Sequence, residues 1–158
     1  MTYILANERD KDVVAAFSAY KDYLLTNKNK LSDSVYELAS SDWWYDFNNH
    51  KCPHDAWLER MQIIESSEGK RNEERATEVK IMLLGAYHDG YIELHYKNVT
   101  SINLDSHNAK LGHKDWRYDE FKHTQSGLFV HEIEWSGKAK TANWKIEAEE
   151  IEYSWRDK

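Results

Sequence analysis

The apolar residues of the first third of the chain recur at helical spacing. Steps of four, three and four positions separate the members of the first stripe, which are Val13, Phe17, Tyr20 and Leu24. Residues at these spacings share one face of a helix. Asn7 or Asp10 is expected to cap its start, because their side-chain oxygens accept amide protons of the first turn.

A second helix is predicted to begin at Ser32. Its stripe has steps of three, four and four positions and consists of Tyr36, Ala39, Trp43 and Phe47. The helix has to end before Pro53, since the proline ring disfavours a helical conformation at the residue before it. The sequence therefore predicts a helical part over residues 1–50.

Beyond Pro53 the apolar period changes from helical spacing to two, which is typical of strands. Alternation is clear over 92–96, 129–135 and 144–155, and in the last of these Glu149 shifts the phase as a β-bulge does. The run 81–87 is apolar on both faces and is predicted to be a central strand. Residues 56–65 fit a helix or a strand, and we prefer a strand paired with 78–87.

Turn sequences at 88–90, 125–127 and 136–138 separate these segments. Short strands joined by tight turns favour an antiparallel sheet. The predicted fold is α+β, with two N-terminal helices packed on a curved, mostly antiparallel sheet of about 6–8 strands. We expect a single domain over 1–158, with a helical part at 1–50 and a β-rich part at 56–156.

Composition narrows the classes of function. The chain has 158 residues, with 28 Asp+Glu against 21 Lys+Arg and a formal net charge of −7. An acidic balance argues against nucleic-acid binding, and no apolar run approaches the ~20 residues that cross a bilayer. The start resembles no signal peptide, and a single cysteine suits a reducing compartment. We expect a cytoplasmic protein with no nucleic-acid partner, no membrane partner and no cofactor.

The negative charge is concentrated in one segment. Residues 31–69 contain eight acidic and two basic side chains, a net charge of 2 − 8 = −6. If Trp43 lies on a helix and faces the core of the protein, Trp44 and Tyr45 point roughly 100° and 200° away from it around the helix axis. Exposed aromatics flanked by carboxylates are typical of a protein interface. The predicted partner-binding residues are Asp42, Trp44, Tyr45 and Asp46.

The sequence favours a non-catalytic acidic binding module that engages a basic protein partner through residues 31–69. Negative charge speeds the encounter with a basic surface, and aromatic anchors supply affinity. In size, acidity and helix-then-sheet layout the chain resembles bacterial immunity proteins, a resemblance of general character with no shared motif. It implies an inhibitor-type function.

A first alternative is a curved sheet or barrel that holds a small ligand. His131 shares a strand face with Phe129, Ile133 and Trp135, so the ligand cavity would lie beside His131 and Trp135. Glu132 and Glu134 lie on the opposite face and are expected to be solvated.

A second alternative is a metal-dependent hydrolase. Imidazole nitrogen and thiolate sulfur are good zinc ligands, and His50, Cys52 and His54 fall within five positions, followed by Asp55. A structural zinc site also draws a second pair of ligands from elsewhere in the chain, and here that pair would have to come from His88, His107 or His113. We therefore favour a chain that binds no metal and is not an enzyme over this alternative.

Overall fold

The computed structural model describes residues 1–105, 109–136 and 141–158, and side chains at 6, 7, 109 and 141 are not part of that description. The helices are Ala6–Arg9 (α1), Val13–Thr26 (α2) and Asp33–Ala39 (α3), with short 3-10 turns at Lys28–Lys30 and Ala109–Leu111. The strands are Trp57–Glu65 (β1), Thr77–Leu84 (β2), Gly90–Lys97 (β3), Ser101–Asp105 (β4), Asp115–His123 (β5), Phe129–Ser136 (β6), Thr141–Ala148 (β7) and Glu150–Asp157 (β8).

Helix α2 buries one face, as its period predicts. Ala16, Tyr20 and Leu24 point into the core, whereas Val13 at the first position is exposed. The cap is Asp12 rather than Asn7 or Asp10, because its carboxylate accepts the Ala15 N–H at 3.0 Å. The helix therefore begins a few residues later than either predicted cap would place it.

Helix α3 is shorter than predicted. It ends at Ala39, where the Ser40 hydroxyl donates to the Tyr36 carbonyl at 2.6 Å and the Ser41 hydroxyl donates to the Leu38 carbonyl at 2.7 Å. Serine side chains that bond to backbone carbonyls compete with continuation of a helix. The predicted extension of this helix to Phe47 is therefore wrong.

The eight strands form one antiparallel sheet, so the predicted α+β fold with a curved sheet is confirmed. The strand order is β4–β7–β6–β5–β1–β2–β3–β8, and the sheet is not closed. A single pair, Trp57 with Asp115, joins β1 to β5 and so connects the two halves of the sheet. The strand predicted at 56–65 is confirmed as β1, and the turns at 88–90 and 125–127 are confirmed. Most of the turn predicted at 136–138 lies outside the described residues.

The two halves of the sheet curve toward each other around the core. β7 runs into β8 through Glu149 alone, and the two strands pair with different neighbours, β6 and β3. The predicted change of phase at Glu149 marks this break. Across the core, Tyr96 of β3 reaches His131 of β6, with 2.7 Å between Oη and Nδ1.

Strand β5 has an edge that no strand covers beyond Trp116. Side chains of the helical part take the place of a neighbouring strand there: Tyr20 Oη accepts the Phe121 N–H at 2.6 Å and donates to the Phe121 carbonyl at 3.0 Å. Tyr45 Oη donates to the Asp119 carbonyl at 3.1 Å, and Tyr23 Oη accepts the His123 N–H at 2.9 Å. Buried backbone groups need such partners, and these hydroxyls also block pairing at a free sheet edge.

The first residues of the chain cover the outer face of β5 and β6. Glu120 Oε2 accepts the backbone N–H groups of Tyr3 and Ile4 at 2.9 and 3.0 Å. Arg9 Nη2 lies 2.9 Å from Glu134 Oε1, and Lys122 Nζ lies 2.6 Å from Glu132 Oε1. Glu132 and Glu134 are both buried. Their predicted solvation is wrong, because the N-terminal segment packs over this face.

Candidate functional site

The segment between α3 and β1 has no regular secondary structure, yet Trp44 anchors it in the core. The Trp44 side chain is 0% exposed, and its Nε1 donates to Asp119 Oδ2 at 3.0 Å. The thiol of Cys52 donates to the Trp44 carbonyl at 2.9 Å. Because α3 stops at Ala39, the helical geometry that would expose Trp44 does not apply. The predicted exposure of Trp44 is wrong, and this side chain is not available to a partner.

The other three predicted partner-binding residues reach the surface to different extents. Asp42 and Asp46 are exposed, and Asp46 Oδ1 accepts the Asn48 N–H at 3.1 Å within a turn. Tyr45 is half-buried, with its ring edge-on to Phe17 at 5.6 Å. Burial raises the pKa of Tyr45 well above its usual value, so the hydroxyl remains a proton donor to Asp119 O.

Tyr45 and Asp42 line a groove between the two helices. Helix α3 packs against β5 and β8, and the space between it and α2 has a volume of about 410 Å³. Apolar and aromatic side chains supply most of the walls, and Lys21, Ser40, Ser41 and Asp42 supply the polar atoms. The apolar walls are Phe17, Tyr20, Leu24, Leu25, Tyr36, Ala39 and Tyr45. This size and composition are typical of a site that binds a small molecule or a partner's side chain.

One region of the structure carries carboxylates that no described lysine or arginine neutralises. Four exposed acidic side chains on α3 and on the segment after it have no ion-pair partner among the described residues; they are Asp33, Glu37, Asp42 and Asp46. In the β1–β2 hairpin, by contrast, Glu65 lies 3.6 Å from Arg75 and Glu68 lies 3.1 Å from Lys70. Glu59 on β1 is exposed and unpaired as well, so four of the five carboxylates of residues 31–69 without a described ion-pair partner lie on α3 and the segment after it.

A buried polar cluster lies behind the groove. Asp119 is 2% exposed and accepts three N–H groups, from Trp44, from Trp116 at 3.1 Å and from His131 at 2.8 Å. The other ring nitrogen of His131, Nδ1, is hydrogen-bonded to the Tyr96 hydroxyl at 2.7 Å, so both nitrogens of the ring have a partner. Asp119 thus fixes the segment 40–56 to the core of the sheet.

The two residues predicted to line a ligand cavity, His131 and Trp135, are both fully buried. His131 is fully buried, both of its nitrogens are hydrogen-bonded, and its ring stacks on Phe121 at 3.8 Å between centroids. Trp135 is fully buried as well, in edge contact with Trp144 at 5.0 Å. Among the described residues, the Nε1 atoms of Trp135 and Trp144 have no acceptor. The polar atoms still available for a ligand are therefore indole N–H groups rather than the imidazole.

The predicted metal ligands point to separate partners. His50 Nδ1 lies 2.5 Å from Asp89 Oδ2, and His54 Nδ1 lies 2.5 Å from the Arg117 carbonyl. Cys52 is buried, and burial raises its thiol pKa to about 12, so the thiolate that a metal needs is disfavoured. Within the ranges that the structure describes, no group of three or more His, Cys, Asp or Glu side chains is arranged to hold a metal ion.

Comparisons with protein-family models, with curated proteins and with solved structures find no match to this chain. In the described ranges, none of the helices combines the length and the apolar character that crossing a membrane requires. The functional argument therefore depends on the geometry of the site alone.

Sequence reasoning missed most of the groove wall. Leu25 is exposed, although it follows Leu24, which faces the core. Adjacent residues of a helix point in different directions, so with Leu24 in the core Leu25 has to lie on another face. An apolar residue there indicates an apolar surface outside the core. Phe17 and Tyr36 were assigned to core stripes, and both are half-buried at the groove.

Proposed function

We propose that this chain is a non-catalytic acidic binding module of the immunity or inhibitor type, acting in the cytoplasm on a basic protein partner. Its interface is the groove between α2 and α3 together with the carboxylates around α3. The observation that carries the proposal is an apolar groove with Asp42 in its lining, accompanied on α3 and the segment after it by three further exposed carboxylates, Asp33, Glu37 and Asp46. None of the four carboxylates has an ion-pair partner among the described residues.

In this proposal an apolar side chain of the partner enters the groove between Phe17, Leu25 and Tyr45. The cations next to it on the partner pair with Asp42 at the rim. Apolar burial supplies most of the affinity, and the unpaired carboxylates raise the rate of association. Lys21 also lines the groove, and Lys28 Nζ lies 5.0 Å from the Tyr36 ring centroid, so the attraction depends on the excess of acidic groups.

The test is a titration with designed amphipathic peptides, followed through backbone amide chemical shifts. The probes are a helical Lys/Leu peptide and its Glu/Leu counterpart of equal length. The expected result is binding of the Lys/Leu peptide alone, with the largest shifts at Leu25, Ser40 and Asp42 and a steep loss of affinity with added salt. Equal binding of both peptides, or shifts confined to another surface, would contradict the proposal.

Two variants with matched controls test the groove directly. Leu25→Asn removes an exposed apolar wall and is expected to weaken binding about tenfold, whereas Leu104→Asn on β4 leaves it unchanged. Asp42→Asn is expected to slow association and reduce the salt dependence. The same charge change at Glu150, an exposed carboxylate on β8, should have no such effect.

A second candidate is small-molecule binding beside Trp135, favoured by the buried indole N–H groups of Trp135 and Trp144, for which the described part of the chain offers no acceptor. Such groups are costly unless water or a ligand accepts from them. Small amides and ketones are suitable probes, because each offers one carbonyl acceptor. Movement of the Trp135 and Trp144 indole resonances during titration, with those of Trp44 and Trp116 unchanged, would support it; unmoved Trp135 and Trp144 signals would exclude binding of these probes.

A further inference from the structure

The exposed aromatic side chains lie together at one end of the sheet. Among the described residues, three aromatic side chains count as exposed: Phe47 at 40%, Trp57 at 47% and Tyr87 at 48%. Trp57 is the first residue of β1 and pairs with the last residue of β2, Tyr87 belongs to the β2–β3 turn, and the Tyr87 hydroxyl donates to the Phe47 carbonyl at 3.3 Å. We call these three residues and their contacts the aromatic end.

A histidine ring packs against each of the three exposed aromatic rings. His54 stacks on Phe47 with 3.8 Å between centroids, and His50 stacks on Tyr87 with 3.9 Å between centroids. His88 contacts Trp57 edge-on, with 4.5 Å between centroids. One side of each exposed ring is therefore held by the protein, and the exposed part of the ring is available for another contact.

A carboxylate accompanies each of these pairs. Asp115 Oδ1 accepts the Trp57 Nε1–H at 2.7 Å, and Asp89 Oδ2 lies 2.5 Å from His50 Nδ1. Asp55 Oδ1 lies 3.5 Å from His54 Nε2. A carboxylate has about four acceptor sites, so each retains capacity for an incoming donor. An aromatic face next to a carboxylate is an arrangement that attracts an organic cation.

Two guanidinium groups of the chain, those of Arg9 and Arg117, lie over the ring of Tyr118 next to the aromatic end. The Arg9 guanidinium carbon lies 3.8 Å from the centroid of Tyr118, and that of Arg117 lies 5.6 Å from it. Arg117 Nη1 also lies 3.8 Å from Asp55, so one of the three carboxylates is partly neutralised. Asp89 and Asp115 have no lysine or arginine partner among the described residues.

The aromatic end is continuous with the groove. The Tyr118 ring lies edge-on to Phe47 at 5.9 Å and tilted against Phe17 at 6.2 Å, and Phe17 is a wall of the groove. The groove and the aromatic end are therefore joined through the Tyr118 ring, over which Arg9 and Arg117 lie, and Asp46 is exposed one position before Phe47.

We infer that the aromatic end binds arginine side chains of the basic partner, with each guanidinium over the Trp57 or Tyr87 ring and against Asp115 or Asp89. The inference rests on the proposed function, because it extends the same interface and specifies the chemistry of the partner as an arginine-containing segment. Arginine fits better than lysine, because its planar group stacks on a ring while donating two hydrogen bonds to a carboxylate.

The test uses a tetra-arginine peptide and a tetra-citrulline peptide, which has nearly the same shape and no charge. The readout is the indole Nε1–H resonance of Trp57 in ¹⁵N-labelled protein. The expected result is a saturable shift with tetra-arginine, weaker binding of tetra-lysine and no shift with tetra-citrulline. Absence of a tetra-arginine shift, or an equal shift with tetra-citrulline, overturns the inference. Saturation by cello-oligosaccharides instead would identify a sugar-binding surface and would also overturn it.

Variants separate this surface from the groove. Tyr87→Ala and Trp57→Leu are each expected to weaken tetra-arginine binding about fivefold, the equivalent of a single exposed cation–π contact. In the Trp57 variants, which lack the indole, binding is followed at the backbone amide resonances of Tyr87 and Asp89. Trp57→Phe keeps a ring if Trp57→Leu disturbs the β1–β5 junction, and should retain most of the affinity. Tyr91→Ala on β3, where Arg156 already covers the ring, is the matched control and should bind normally.

Leu25→Asn in the groove should leave tetra-arginine binding unchanged. If the Lys/Leu peptide binds the groove while tetra-arginine fails at Trp57, the inference alone is wrong. If tetra-arginine binds and the Lys/Leu peptide does not, the proposed groove function is wrong and the arginine surface remains.

Discussion

The hydroxyl group of Tyr20 makes both of the backbone hydrogen bonds that a neighbouring strand would offer to Phe121. It accepts the N–H at 2.6 Å and donates to the carbonyl at 3.0 Å, and the tyrosine is almost fully buried. A helix side chain thus completes a β-ladder at the place where β5 has no strand beside it.

Tyr20→Phe removes this hydroxyl without changing the ring. Two buried backbone groups of Phe121 then lack partners, and each costs about 1–3 kcal/mol. We expect a loss of about 2–4 kcal/mol in the free energy of unfolding, measured by urea denaturation. Tyr23→Phe, at the half-buried His123 N–H, is the matched control and should cost less; equal losses in the two variants would contradict the special role of Tyr20.

Asp119→Asn tests the buried cluster. An amide accepts at one atom only, and its NH₂ group would face N–H donors from Trp44, Trp116 or His131. The expected destabilisation is about 2–4 kcal/mol, with upfield movement of the Trp44 and Trp116 indole proton resonances. Asp115→Asn is the control, because its bond to Trp57 is exposed and should contribute less than about 1 kcal/mol. A fully stable Asp119→Asn protein with unmoved resonances would refute this description of the cluster.

Lys122→Met tests the charged face beneath the N-terminal segment. Burial is the largest influence on the pKa of Glu132 and would raise it, but the hydrogen bonds and charges of Lys122 and Lys145 together lower it. A lowered carboxyl pKa contributes stability above the unfolded pKa, and that stability is lost as the pH falls through the folded pKa. Removing the ammonium leaves Glu120 and Glu132 buried without it, so we expect a loss of about 3–5 kcal/mol at pH 7.5.

The loss in Lys122→Met should shrink toward pH 5, because protonation relieves carboxylates that lack a counter-charge. Chemical denaturation at both pH values measures the difference. Lys145→Met is the control, since Lys145 is largely exposed at 3.4 Å from Glu132 and should contribute no more than about 1 kcal/mol. A loss independent of pH would show that Lys122 acts through packing of its side chain instead.

The single cysteine provides a probe of the anchored segment. Burial raises the pKa of Cys52 to about 12, so at pH 8 only about one thiol in 10,000 is ionised. Native protein should therefore resist iodoacetamide at pH 8, and protein in strong denaturant should react rapidly. Labelling of the native protein at the rate of a small free thiol would mean that residues 40–56 open often in solution.

The sequence predicts the sheet well because its alternation is local. The alternation within β3, β6, β7 and β8 and the apolar run of β2 predict those strands, and the phase change at Glu149 is visible without knowledge of strand partners. β4 and β5 are not predicted, and 56–65 fits a helix as well as the strand β1. The burial of Glu132 and Glu134 is not predictable in this way. The alternation of β6 places these two side chains on the face that points away from the core. The structure covers that face because Arg9 and the residues before it cross β5 and β6.

The position of Trp44 illustrates a different limit. Ser40 and Ser41 are a stop signal for α3, but the apolar spacing continues past them through Trp43 and Phe47 and predicts a longer helix. The groove forms because α2 and α3 pack at particular positions on the sheet. The spacing of apolar residues within one helix gives no information about that packing. The sequence predicts Asp42 at the interface, whereas only the packing of the two helices shows that Leu25 lines the groove.

The anchoring of Trp44 also determines how much conformational entropy the segment 40–56 loses when a partner binds. A long irregular segment ordinarily loses conformational freedom when it binds, and that loss weakens the complex. Here the indole, the Cys52 thiol and the Tyr45 hydroxyl restrain the segment while the protein folds. A partner that docks on Asp42 or Phe47 therefore meets a surface that is already ordered, and complex formation leaves little additional chain entropy to lose.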